Sequence, residues 1–266
     1  MKKAIYLAAI ACLFSFSVQA EETPKTSPSA VPAEVLTVKA DPEWSGILDH
    51  FVNQDVPAHI QMPAKQRALL SLAVLTAIQM PEEIPGHVRY ALAQGATPEQ
   101  IRETILQTAP YVGFPRAKAS LKKMYKTFQK EGIKTPLPPQ GTVTEETRYD
   151  KGLEKQVAIA GERIIRRIET SPADEAHINT FLASNCFGDY YTRNILSLQE
   201  RELITFTTIA SLGGADPQVK GHVAANVQVG NTRQQLLDAI TIALPYIGYP
   251  RTLNALAAIN SVVPAK

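Results

Sequence analysis

A seven-residue segment occurs twice in this chain at a fixed distance. Pro110-Tyr111-Val112-Gly113-Phe114-Pro115-Arg116 recurs as Pro245-Tyr246-Ile247-Gly248-Tyr249-Pro250-Arg251, and Gly86-His87-Val88 recurs as Gly221-His222-Val223, both at an offset of 135. Aligned without a gap, 13 of the 36 pairs between 86–121 and 221–256 are identical, where unrelated segments of ordinary composition would share about two. A duplication of this kind confines the fold to two copies of one supersecondary design. With 266 residues, 45% of them hydrophobic and 20% charged, there is apolar material for two modest cores.

The two copies join through Thr135-Pro136-Leu137-Pro138-Pro139-Gln140-Gly141, whose prolines and glycine suit an extended connection. The expected organisation is a signal peptide over 1–20, a flexible lead-in over 21–40, a first unit over 41–130, a linker over 131–147 and a second unit over 148–266. Strand patterns are nearly absent, whereas helix punctuation recurs. Ser197-Leu198-Gln199-Glu200 is a capping-box start, and the helix it opens runs to Leu212 before Gly213-Gly214 stops it. Asp216 is expected to cap the next helix, with Pro217 in its first turn and Gly230 at its end. Thr232 and Gln235 open a third helix by the capping-box device, and Thr97 with Gln100 does the same in the first copy. The predicted class is all-α.

The N-terminus carries Lys2-Lys3, an apolar run from Ala4 to Val18, and Val18-Gln19-Ala20 before Glu21-Glu22. This is the pattern of a secretory leader cleaved after Ala20. Lipidation at Cys12 is the weaker alternative, because the apolar stretch before it is short. Export, most simply to a bacterial periplasm, is therefore expected, with no membrane attachment after cleavage. Losing Lys2 and Lys3 leaves 25 basic residues against 25 acidic ones. A neutral chain without basic runs does not suit nucleic acid. Cys186 alone remains, so no internal disulfide can form.

Chemistry is most concentrated in the second copy. At about 100° per residue, Glu202 lines up with Phe206 and Ile209 rather than with Arg201, Thr205 and Thr208. A carboxylate on an apolar face is either held for a purpose or braces a neighbouring helix. His222 shares its face with Val219, Val223 and Asn226, and His87 shares the matching face with Ile84, Val88 and Ala91. Each is a catalytic candidate or a satisfied core histidine. Arg193, Tyr191, Tyr246 and Arg251 stand near helix ends and suit a carboxylate-binding set. The competing expectation for Arg116 and Arg251 is bonding to the last carbonyls of nearby helices, and for Tyr111 and Tyr246 a place in the core. The five histidines are scattered, and no metal, dinucleotide, P-loop or serine-nucleophile motif occurs.

Taken in order, Arg148-Tyr149-Asp150-Lys151-Gly152, Phe187-Gly188, Arg193, Arg201-Glu202-Leu203, Gly221-His222, Gly230 and Tyr246-Ile247-Gly248-Tyr249-Pro250 resemble the carboxymuconolactone decarboxylase-like superfamily, which includes alkylhydroperoxidase D-like proteins. The resemblance covers 145–260 well and 60–125 more loosely. It implies two tandem all-helical units packed as an internal pseudo-dimer. Members often form hexamers of single units, so the resemblance also implies a homotrimer of two-unit chains. In the peroxidase branch a CxxC precedes the histidine; here its places hold Ala215 and Gln218, or Met80 and Glu83, which disfavours thiol chemistry. The decarboxylase branch works without a cofactor, because its lactone substrate accepts the electrons left by carbon dioxide. By that resemblance His222 would donate the proton, Glu202 would be its partner or base, and Arg193 would clamp a carboxylate. In the first unit Arg67 stands where Glu202 would be, so that unit, with His87, is expected to be degenerate. The resulting expectation is an exported, cofactor-free lyase or related enzyme acting on a small carboxylate or lactone. A non-catalytic oligomeric or ligand-binding protein on the same scaffold is the alternative.

Overall fold

A computed structural model describes residues 36–265. The expected leader of 1–20 and most of the expected lead-in fall outside the described residues. Every regular element among the described residues is helical. The first unit comprises α1 (Pro42–His50), which continues through a π-helical turn at Phe51–Asp55, then α2 (Ala64–Ala77), α3 (Ile84–Ala93), α4 (Pro98–Val112) and α5 (Phe114–Lys130). The second unit comprises α6 (Arg148–Ala160), α7 (Arg163–Glu169), and α8 (Ala176–Phe181) with a π-helical continuation at Leu182–Tyr191. It is completed by α9 (Leu198–Leu212), α10 (Asp216–Gln228) and α11 (Arg233–Val262), which bends at Gly248.

Shifted by 135, α2 falls on α9, α3 on α10, and α4 with α5 on the two arms of α11. The π-helical turns fall on each other as well. The capping boxes at Thr97, Ser197 and Thr232 are all formed, each side chain accepting from the backbone N–H three residues on. Gly113 and its counterpart Gly248 hold φ of 83° and 73°, a left-handed region where a side chain is strained, and there the chain turns between the paired helices. One cap differs from expectation: Ala215 precedes α10 and Asp216 is its first residue, without a side-chain cap bond.

α2 and α9 form the centre, packed against each other, with α4 of the first unit lying on α9 and α11 of the second on α2. The largest apolar core therefore mixes both units, joining Leu70 to Leu203, Phe206, Leu236 and Ile259. The units also exchange arms. Val52, Val56 and Ile60, at the end of the α1 arm, pack in this core with the second unit, while Tyr190 of the α8 arm packs on Ala109 and Ala117 of the first.

From Arg201 to Ser211 α9 has no solvent face: Arg201, Glu202, Thr205 and Thr208 are as buried as Phe206 and Ile209. The apolar and polar sides read from the sequence both face protein. Thr207, Thr208 and Ser211 make this tolerable by donating to the carbonyls four residues back, at 2.7 Å each. The proline-rich connection is tied down rather than loose, since Arg102 donates to the Leu137 and Pro138 carbonyls and Leu137 is buried in the first unit's core.

Candidate active site

α9 and α10 bring the first two groups together. Glu202 is completely buried, and its Oε2 lies 2.8 Å from Nδ1 of His222. Asn226, one turn beyond His222, donates to the carbonyls of both Glu202 and His222 at 3.0 and 2.7 Å, which fixes the two helices at this crossing. The other carboxylate oxygen, Oε1, accepts from the Tyr191 hydroxyl at 2.7 Å. Tyr191 arrives on the π-helical run, whose wider turn brings Cys186, Phe187 and Tyr191 into one small cluster with Ile159 and Ala225.

The polar chain continues across the unit boundary. The Tyr191 hydroxyl meets those of Thr205 and Tyr111, each at 2.9 Å, and Tyr111 stands edge-on to the His222 ring. Tyr111 belongs to α4 of the first unit. Gln107, one turn earlier on α4, donates to Thr205 at 3.2 Å and accepts from Arg201 at 2.9 Å. Burial pushes the Tyr111 and Tyr191 hydroxyls well above the ordinary phenol range, so both remain protonated donors. The thiol of Cys186 lies 3.6 Å from the Tyr111 hydroxyl and is pushed up to about 12 by burial.

His222 keeps about a fifth of its side chain exposed and lines a cavity of about 500 Å³. With Nδ1 engaged by Glu202, Nε2 is the ring nitrogen left for a ligand. Ile159, Ile164, Leu182, Phe187 and Ile209 give the cavity a mainly apolar wall, and Tyr111 and Cys186 also line it. Gln156, Arg163 and Arg167 supply further polar groups. These three lie on α6 and α7, outside the segments 86–121 and 221–256 that repeat, so the repeat does not single them out.

The remaining expected site residues lie elsewhere. Arg193 is spent on the protein's own carboxylate: its Nε and Nη2 donate to the two oxygens of Glu103 at 2.7 and 3.0 Å. Arg102 and Arg201 also approach that buried carboxylate, at 3.2 and 3.6 Å. Arg251 donates to the Ser211 carbonyl at the end of α9, and Arg116 does the same for Ala77 at the end of α2. Tyr246 sits in the other unit's site, with its hydroxyl 2.7 Å from Nε2 of His87. Each unit thus lends its repeat tyrosine to its neighbour's histidine.

In the first unit both ring nitrogens of His87 are engaged, Nδ1 by the Glu83 carbonyl at 2.9 Å and Nε2 by Tyr246. The ring is completely buried, and burial lowers its pKa to about 4. Arg67, at the position matching Glu202, is also buried. No group of three or more potential metal ligands occurs among the described residues.

Comparison with known proteins agrees with this architecture. The Carboxymuconolactone decarboxylase family matches the chain twice, over 42–124 and 177–261. Among curated proteins, Peroxisomal protein 2 of Schizosaccharomyces pombe is 27% identical over 185 residues, spanning 66% of this chain and 83% of that protein. The 4-carboxymuconolactone decarboxylase of Acinetobacter baylyi is 26% identical over 91 residues, 34% of this chain and 68% of that protein.

Proposed function

The chain belongs to the carboxymuconolactone decarboxylase family, and from that premise and the geometry of its second-unit site we propose that it is a cofactor-free enzyme delivering a proton to a small carboxylate or lactone. The observation that carries this reading is the 2.8 Å contact between buried Glu202 and His222 at the wall of a ligand-sized cavity. Glu202 fixes the imidazole through Nδ1, so that Nε2 is the nitrogen that meets a ligand in the cavity. When a carboxyl group leaves a conjugated lactone as carbon dioxide, the C–C electron pair passes into the ring carbonyl. His222 then supplies the proton that forms the new C–H bond, and water in the cavity returns a proton to the imidazole. Tyr191, held by Thr205 and Tyr111, keeps the second oxygen of Glu202 satisfied through the cycle.

The similarity to a protein named 4-carboxymuconolactone decarboxylase supports that lactone as the first substrate to test. Under the same proposal residues 21–266 are exported and assemble as a homotrimer. The first unit serves as scaffold, since His87 has no free ring nitrogen. Thiol peroxidase chemistry fits poorly, because burial keeps Cys186 protonated. A binding role without turnover is the second reading, favoured by the apolar cavity wall.

Ultraviolet-monitored turnover of 4-carboxymuconolactone by residues 21–266 tests the proposal, with His222→Ala and Glu202→Gln alongside. The expected losses are about 10²–10⁴-fold for His222→Ala and at least about tenfold for Glu202→Gln, both variants remaining folded. Equal rates in His222→Ala and wild type would overturn it, and no turnover of this or related lactone carboxylates by wild type would favour the binding reading.

A further inference from the structure

We propose that the outer face of α5 docks the protein onto a bilayer surface rich in anionic lipid, through a ridge of lysines with Phe114 at its end. Between Phe114 and Lys130 this helix carries six basic residues and no acidic one, in a chain of 27 basic and 25 acidic residues overall. Its inner face buries Ala117, Ser120, Met124, Thr127 and Phe128. Lys118, Lys122, Lys126 and Lys130, each about one turn from the next, are exposed on the other side. Spaced in this way they make no run in the sequence. Arg116 and Lys123 are engaged, by the Ala77 carbonyl and by Glu82. The four lysines of the ridge form no ion pair or side-chain hydrogen bond among the described residues.

The duplication supplies an internal comparison. At the offset of 135, Lys118, Lys122 and Lys126 fall on Leu253, Ala257 and Ser261 of α11, and the segment 249–265 holds Arg251 as its single basic residue. Arg116 and Arg251 each bond a helix-end carbonyl, so the shared basic position serves the fold, whereas the ridge belongs to α5 alone. Phe114 is 68% exposed in the first turn, where Leu106, Leu121 and Tyr190 line an apolar groove together with Lys118. A bilayer complements this surface in charge. Flexible lysine stems place point charges among lipid headgroups without a fixed geometry, and an exposed aromatic beside them enters the interface. A protein partner would call for an aromatic or arginine anchor at the centre of the face, where lysines stand instead. The contact is reversible and lies at the surface; no helix among the described residues is long and apolar enough to span a bilayer.

Vesicle co-sedimentation of residues 21–266 tests this, at about 0.05 M salt, where exposed charges still act over roughly 10 Å or more. The vesicles are phosphatidylcholine alone, or phosphatidylcholine and phosphatidylglycerol in equal parts. Wild type should bind the mixture and not phosphatidylcholine, and about 0.5 M salt should release it. Lys118→Gln/Lys122→Gln/Lys126→Gln should weaken binding at least about tenfold, and Phe114→Ser about threefold or more. Lys39→Gln/Lys151→Gln/Lys220→Gln, which removes the same charge from other elements, should bind within about twofold of wild type. Melting curves confirm that each variant is folded. Failure of wild type to bind the mixed vesicles, or equal losses in the two triple variants, would overturn the proposal. Binding to soluble polyglutamate as tight as to the vesicles would also overturn it, by placing an acidic protein on this face.

Discussion

His222 and His87 occupy equivalent places in two copies of one sequence, and their partners make them different. Glu202 takes one nitrogen of His222 and leaves the other to a cavity, whereas Glu83 and Tyr246 take both nitrogens of His87. Burial holds His87 neutral, with its pKa lowered to about 4 against 6.5 for a free ring. Between those values the unfolded chain binds the extra proton, so stability is fully present above pH 6.5 and is lost as pH falls towards 4. Urea unfolding at pH 5 should give a stability about 1–2 kcal/mol below that at pH 7 from this ring alone. His87→Gln should remove that part of the slope, and an unchanged slope would place the titration elsewhere. The candidates Glu202 and His222 were legible because a carboxylate and a repeated histidine interrupt apolar stripes. Arg193, Tyr191, Tyr246 and Arg251 do not line the cavity as a substrate-binding set: Tyr191 is buried on Glu202 and the other three reach partners elsewhere, because a side chain near a helix end says nothing of which partner it reaches.

The helices themselves were read largely from punctuation. Serine or threonine at the cap and glutamine or glutamate three residues on mark the starts of α4, α9 and α11, glycine lies beyond the ends of α4 and α9 and at the bend of α11, and the offset of 135 carries the α4 pattern onto α11. The π-helical run at Leu182–Tyr191 was not legible, since its wider turn breaks the 3.6-residue period that sequence reading relies on. Its packing depends on two glycines: a Cβ at Gly152 of α6 would run into the Ala183 carbonyl, and one at Gly188 into that of Arg148. Arg148 also pairs with Asp189 across this contact, at 3.0 and 2.5 Å. Gly152→Ala should therefore cost about 1–3 kcal/mol or more in thermal unfolding, as α6 is forced off the run that carries Tyr191. A melting temperature equal to wild type would show that the two elements separate freely.

At the scale of the molecule, duplication announces two units but not which surfaces they share. α9 reads as amphipathic because its polar side faces the other copy, where Gln107 and Glu103 meet Thr205 and Arg201. Tyr111 reads as core for the same reason, although it completes the polar chain behind Glu202. The second unit is thus not self-sufficient. A fragment of residues 142–266 lacks Tyr111, Gln107, Glu103 and the covering residues Val52 and Ile60, and is expected to show neither cooperative melting nor turnover; a folded, active fragment would refute the shared site. The central claim is that one catalytic centre, in the second unit, is built by both. Steady-state turnover of 4-carboxymuconolactone by His222→Ala and His87→Gln, at equal concentrations of folded protein, tests it most directly. Loss of about 10²-fold or more in His222→Ala with the rate retained in His87→Gln is the predicted result. Equal losses in both variants, or an undiminished rate in His222→Ala, would contradict it.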